Sequence, residues 1–238
     1  MKIKKFMSIA MLICLGLTLS GCKGSIKNVD KQIDKMKNIV EKEELFEEDY
    51  KMIYSLSKKH SGQTNSYYDK NVTIKKSGNR MYIYTKEGST ATNVWVGEEN
   101  SKYYVYYNDG TIKEFAEITE GEVNSLFLEL EKKDIGIRGV YDNWIMALET
   151  YKGNCNKKDV KCNIEKNLFG SKVDFEYKDT VGKHEIEIKN GVILEISEEE
   201  TINGDEVDVE INFEYDDQKI SWPSRKEYTY SQDVVNRI

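Results

Sequence analysis

The sequence predicts an α+β fold in which helices pack on one face of an antiparallel sheet. Three observations lead there. Apolar residues recur at three- and four-residue steps just after residue 22, and again between residues 120 and 151. Elsewhere the apolar period drops to two, and Gly, Asn and Asp punctuate the runs. The stretches also fall in blocks, as helix, meander, helices and meander, without the strand–helix alternation of a parallel sheet.

The first helix is carried by Ile26, Val29, Ile33, Met36 and Val40, which share one stripe. The acidic run from Glu41 to Asp49 reads as a solvated helix end or loop. From Asp49 to Thr119 the chain reads as a meander. Tyr50, Met52, Tyr54 and Leu56 alternate, Ser77-Gly78-Asn79 separates Val72–Ile74 from Met81–Tyr84, and Asn93–Gly97 is another short run. Tyr103 to Tyr107 is aromatic on both faces and ends at Asn108-Asp109-Gly110. Val123, Phe127 and Leu130 then share a helical face, as do Trp144, Ile145 and Leu148, with Gly136 and Gly139 expected to separate the two helices.

The last third is the clearest strand signal. Val173, Phe175 and Tyr177 alternate with acids, and Ile186 and Ile188 lead through Asn190-Gly191 to Val192, Leu194 and Ile196. Asn-Gly supplies the positive φ values of a type I′ hairpin. Val207, Val209, Ile211, Phe213 and Tyr215 alternate with polar residues, so one face is core and the other solvent. The outer faces carry Glu185, Glu187, Glu195, Glu210 and Glu214. Like charges opposite one another destabilise a sheet, so a register setting them against Lys172, Lys183 or Lys189 is expected.

The amino terminus has three lysines (2, 4 and 5), an apolar run from Phe6 to Leu19, and then Ser20, Gly21 and Cys22. The layout is that of an export signal, and the apolar run is shorter than the ~20 residues that span a bilayer. Leu19-Ser20-Gly21-Cys22 resembles the lipobox of bacterial lipoproteins. That resemblance implies cleavage between Gly21 and Cys22, removal of residues 1–21 with Cys14, and a diacylglyceryl group on the Cys22 sulfur. Residues 22–238 would then form one lipid-anchored domain on the extracytoplasmic face of the cell membrane. Cys22 precedes the first helical position by only four residues, so the domain would sit close to the lipid.

Without the signal the chain has 32 Lys and Arg against 42 Asp and Glu, a net charge of −10. Such a balance speaks against nucleic acid as a partner and against polybasic attachment to anionic lipid. Two acyl chains suffice for stable anchoring. Cys155 and Cys162 remain as a pair. An oxidising compartment permits a bridge, and a short loop could bring the α-carbons within the ~4.4–6.8 Å it requires, the alternative being two free thiols. No His lies near enough in sequence to complete a zinc shell with them.

The order of elements, with Lys-Ser-Gly-Asn-Arg and Met-Tyr-Ile-Tyr in the first meander and Val207–Pro223 at the close, resembles the LolA/LolB-like and LppX-like lipoprotein superfamily. The resemblance implies a strongly curved, half-barrel sheet wrapped over helices with an apolar cavity between them. It implies no catalytic residue and no cofactor.

The residues themselves offer little catalytic apparatus. His60 and His184 are the only candidate imidazole bases, and there is no Gly-x-Ser-x-Gly elbow, P-loop or dinucleotide glycine pattern. His184 is expected on a solvated strand face. Glu198-Glu199-Glu200 reads as a solvated run, Asp205–Glu210 lacks the glycine and spacing of an EF-hand loop, and Trp95, Trp144 and Trp222 read as core packing. The expectation is a non-enzymatic membrane-anchored lipoprotein, binding a lipid or other apolar ligand between sheet and helices. Its rival is an envelope interaction module that docks a protein through exposed tyrosines such as Tyr67-Tyr68 and Tyr104/Tyr106.

Overall fold

The computed structural model describes residues 22–43, 47–133 and 135–238. The expected signal at 1–21, with the Gly21 side of its cleavage site, lies outside them. After a short strand β1 (Cys22–Lys23) comes helix α1 (Ile26–Lys42), then a meander of β2 (Tyr50–His60), β3 (Tyr68–Ser77), β4 (Arg80–Glu87), β5 (Thr90–Glu99), β6 (Lys102–Asn108) and β7 (Lys113–Ile118). Helices α2 (Glu120–Lys132) and α3 (Ile137–Asn154) follow. A second meander comprises β8 (Lys161–Lys166), β9 (Lys172–Lys178), β10 (Gly182–Lys189), β11 (Val192–Ile202) and β12 (Asp205–Glu214), and the tail adds β13 (Thr229–Tyr230) between two 3-10 turns. The α+β class and the antiparallel meanders are as the sequence predicts.

All thirteen strands join one curved sheet in the order β1-β8-β9-β10-β11-β12-β2-β3-β4-β5-β6-β7-β13. Every pairing is antiparallel except β13 with β7. The two meanders meet at a single seam, β12 on β2, running from Asp205↔His60 to Glu214↔Lys51.

Local chemistry explains the helix ends. Thr119 caps α2: its hydroxyl accepts the Glu122 N–H, and the Glu122 carboxylate accepts the Thr119 N–H at 2.6 Å. Gly136 caps α3, where a Cβ would come within 2.2 Å of the Leu130 carbonyl. Gly139, expected in the connection, lies in the first turn of α3 instead. The helix therefore begins at Ile137, four residues before the run from Tyr141 that the apolar period marks.

The stripe of α1 (Val29, Ile33, Met36) and the Tyr141–Trp144–Leu148 face of α3 meet the inner sheet face. There they pack on Val173, Phe175, Ile186, Ile196 and Phe213, all buried. A second cluster lies under α2, where Val123 and Leu126 cover Val94, Val96, Val105 and Ala116. The β10–β11 hairpin turns at Asn190 (φ 54) and Gly191 (φ 85), as Asn-Gly predicts. The outer register differs from expectation. Glu187 stands opposite both Asp174 and Glu195, and Glu185 opposite Glu176. Lys172 reaches Glu187 diagonally at 2.7 Å and Lys183 reaches Glu185 along its own strand at 2.7 Å, while Lys189 faces Lys172 and Val192.

A bulge bends this half of the sheet. Glu187 pairs with Glu195 but Ile188 with Ile193, which leaves Leu194 without a partner on β10. Two phenols take up the backbone of Ile193, which sits beside the bulge and short of the β12 pairing that begins at Glu195. The Ile193 N–H donates to the Tyr141 hydroxyl at 2.9 Å, and the Tyr215 hydroxyl donates to the Ile193 carbonyl at 2.9 Å. The phenol oxygens lie 3.2 Å apart, so Tyr141 donates to Tyr215 and the proton chain is complete. Burial holds the Tyr141 hydroxyl neutral, its pKa pushed up to about 12. Tyr141→Phe leaves the Ile193 N–H buried and unpaired, and should cost about 1–3 kcal/mol in urea unfolding. An unchanged midpoint would show that the phenols do not hold the bulge.

Candidate functional site

The expected site residue Cys22 is built into the sheet. Its backbone pairs with Lys166, Lys23 pairs with Glu165, and the Gly24 N–H donates to the Ile164 carbonyl at 2.7 Å. Only Gly24 and Ser25 separate this edge strand from α1. The end of the chain that would carry lipid is therefore a fixed point of the fold.

Cys155 and Cys162 form a disulfide, with α-carbons 5.5 Å apart. The bridge ties the C-terminal cap of α3 to β8, the strand that carries Cys22 on its far side.

The two histidines occupy opposite environments. His60 lies at the exposed end of β2, where its Nδ1 contacts Asp205 at 2.6 Å and its ring stacks on Tyr67 at 4.6 Å. The Tyr67 hydroxyl donates to the same carboxylate at 2.8 Å. These two contacts hold the Asp205 carboxyl below its ordinary range. The pair resembles an imidazole–carboxylate dyad, but the neighbouring Ser61 hydroxyl donates to Glu206 and not to His60. His184, expected on a solvated face, is 5 % exposed. It is in phase with Ile186 and Ile188 and stacks on Tyr151 at 4.9 Å. Glu198 and Glu200 lie 3.9 and 3.7 Å from its two nitrogens. Burial, and then those two carboxylates, raise the Tyr151 hydroxyl well above its ordinary value. Among the described residues no group of three or more His, Cys, Asp or Glu is arranged to hold a metal ion.

The outer sheet face divides into two regions. Across β10, β11, β12, β2 and β3 it is polar and holds a cleft of about 840 Å³, lined by Ser55, Ser57, Asn71, Lys183, Glu199 and Asp208 among others. Across β4 to β7 it carries the cross-strand aromatic row Tyr82–Trp95–Tyr106–Phe115. The C-terminal tail covers that row. Trp222 and Tyr228 meet the Tyr106 ring edge-on at 5.8 and 5.2 Å, and the Trp95 indole donates to the Ser221 carbonyl at 3.0 Å. The Arg225 guanidinium lies 4.0 Å above the Tyr104 ring and bonds Glu99 at 2.9 Å. Tyr104 and Tyr106, expected as an exposed pair, are therefore 1 % and 0 % exposed. Tyr67 stays exposed. Of the tryptophans only Trp144 is a core residue, while Trp95 and Trp222 belong to this tail contact.

Glu131, in the last turn of α2, is buried beside Lys76, Arg138 and Glu43. Desolvation outweighs the two cations and pushes its carboxyl up to about 7. No sequence signal marks it beyond its place next to Leu130.

No protein-family model and no curated protein matches the chain. Among solved structures the chain is similar to the crystal structure of a DUF1329 family protein from Desulfovibrio piger. The identity is 15%, the match covers 79% of this chain and 93% of that chain, and the TM-score is 0.30.

Two outcomes follow from these side chains. Folding raises the Glu131 pKa above its ordinary 4.5, so the native state keeps a proton that the unfolded chain releases. Stability should fall as pH rises from about 4.5 to about 7 and then level off, and Glu131→Gln should flatten that slope in urea titrations at pH 5 and pH 8. Cys155→Ser opens a loop of sequence separation 7 and should cost about 2–3 kcal/mol. The check is whether the urea midpoint of the wild type drops to that of the variant on reduction.

Proposed function

We propose that the protein is a non-enzymatic extracytoplasmic lipoprotein, held at the cell membrane by a diacylglyceryl group on Cys22. The observation that carries this reading is the Cys155–Cys162 bridge, because disulfides form and persist in oxidising compartments. The lipobox-like Leu19–Cys22 supplies the route to such a compartment. The edge position of Cys22 agrees with it, since a chain end tied into β8 places an acyl group directly against the domain. Among the described residues no helix is long and apolar enough to cross a membrane.

In finer terms we read the sheet as a half-barrel of the LolA/LppX type, with an apolar ligand held between sheet and helices. In this chain that space is lined by Ile33, Trp144, Phe175, Ile186 and Phe213, all buried, so a lipid enters it by displacing side chains of α1 and α3. A second reading is favoured by the position of the cleft. Its polar lining lies on the face away from the helices, which suits an envelope protein better than a lipid tail. Native mass spectrometry of the detergent-extracted protein separates the two. A co-purified lipid supports the carrier, and its absence together with a specific membrane crosslink supports the docking module.

Cys22→Ser should abolish labelling by radioactive palmitate and move the protein from the membrane fraction to the soluble fraction, with the urea midpoint unchanged. Retention of the variant in the membrane would overturn the anchor.

A further inference from the structure

The turn between β8 and β9 carries the most exposed large apolar side chain among the described residues. Phe169 is 88 % exposed and its neighbour Leu168 57 %. Isolated apolar residues on a surface call for no explanation, but these two are adjacent and sit on a turn that is built rather than loose. Asn167 closes it: its side-chain oxygen accepts the Ser171 N–H at 2.9 Å and the Lys172 N–H at 3.2 Å, and its amide donates to the Ser171 hydroxyl at 2.8 Å. The Gly170 N–H donates to the Asn167 carbonyl at 3.0 Å. Gln32 of α1, 1 % exposed, fixes the turn from beneath by donating to the Gly170 and Ser171 carbonyls at 3.4 and 3.3 Å, while its own carbonyl accepts the Gly191 N–H at 2.7 Å. A turn held this firmly keeps Phe169 and Leu168 from folding back onto the core.

Their position names the occupant. Lys166, the last residue of β8 before this turn, is the residue whose backbone pairs with Cys22. The first turn of α1 abuts Gly170 through Asn28. Lys23, Lys27 and Lys166 stand at the same end of the sheet, and none of them makes an ion pair with another described residue. The chain as a whole is acidic, with 42 Asp and Glu against 35 Lys and Arg. Two exposed apolar side chains, flanked by unmatched cations and adjoining the backbone of Cys22, have the composition of a membrane-interface contact.

We propose that the Leu168–Phe169 turn inserts into the lipid surface beside the anchor, so that the domain is docked on the membrane by the β1–β8 edge. This rests on the lipoprotein reading of Cys22. A single acyl-linked point fixes distance but leaves the domain free to rotate about it. A second apolar contact a few residues away fixes orientation, and turns the same sheet edge toward the bilayer in every copy.

The test uses full-length Phe169→Trp protein, extracted from membranes and reconstituted into vesicles of equal phosphatidylglycerol and phosphatidylcholine with brominated acyl chains. Radioactive palmitate reports the state of Cys22 in the same sample. The expected result is labelled protein in which the added tryptophan is blue-shifted and quenched beyond the wild type, with its three native tryptophans. Labelled protein with no added quenching overturns the docking turn and leaves the anchor standing. Unlabelled protein overturns the anchor and the docking turn with it. Leu168→Ser/Phe169→Ser should leave the label and the urea midpoint unchanged. It should raise the rate at which protease added outside the vesicles cuts the chain near residue 169 by about tenfold or more, the scale set by one lost apolar insertion. An unchanged rate counts against the proposal.

Discussion

The sheet must bend, and the place where it bends is set by two tyrosine hydroxyls. A sheet of this width cannot stay flat and still keep three helices against one face. The extra residue at Leu194 supplies curvature, and beside it Ile193, short of the β12 pairing that begins at Glu195, has a backbone N–H and carbonyl to satisfy in the interior. Tyr141 reaches them from α3 and Tyr215 from the chain just beyond β12, so the cost of the bulge is met by groups that also tie helix to sheet. Curvature, helix placement and burial of the two phenols are one arrangement. The packing of Phe213 against Tyr141 and the course of β11 both follow from it.

The two faces of the sheet serve different ends. The inner face is filled throughout, by α1 and α3 on one side and by α2 with the final 3-10 turn on the other, where Val234 is fully buried. The outer face is solvated over the second meander and closed over the first. The tail makes that closure by passing across the aromatic row, pairing β13 with the free edge of β7, and ending on the inner side. Arg225 carries much of the contact, stacked on Tyr104 and bonded to both Tyr106 and Glu99. The outermost strands, β1 and β13, are each only two residues long, and short edge strands limit edge-to-edge association.

Much of this was legible in the residues. The α1 stripe, the Asn190-Gly191 turn and the strict alternation of β9 and β12 come from local periodicity, and local periodicity survived folding. His184 was legible in principle, since it shares the phase of Ile186 and Ile188, but its flanking charges suggested solvent. The burial of Tyr104 and Tyr106 could not be read, because what covers them lies more than a hundred residues away in a segment that looks like a polar tail. Glu131 was hidden for a similar reason: its environment is assembled from α2, β3 and the start of α3. The neighbourhood of the Leu168–Phe169 turn could not be read, because the pairing of Cys22 with Lys166 spans most of the chain.

The single seam between β12 and β2 dictates an order of assembly. Each meander can form from neighbouring hairpins, but the strands that join them are about 145 residues apart at Asp205↔His60. Contacts of that span are slow to form. A chain delivered amino end first holds β2 with one edge open until Glu214 has arrived, and the aromatic row stays uncovered until the tail follows. The seam is therefore closed by the last strand of the second meander, and any partner that shields the open side of β2 before then acts on the slowest step.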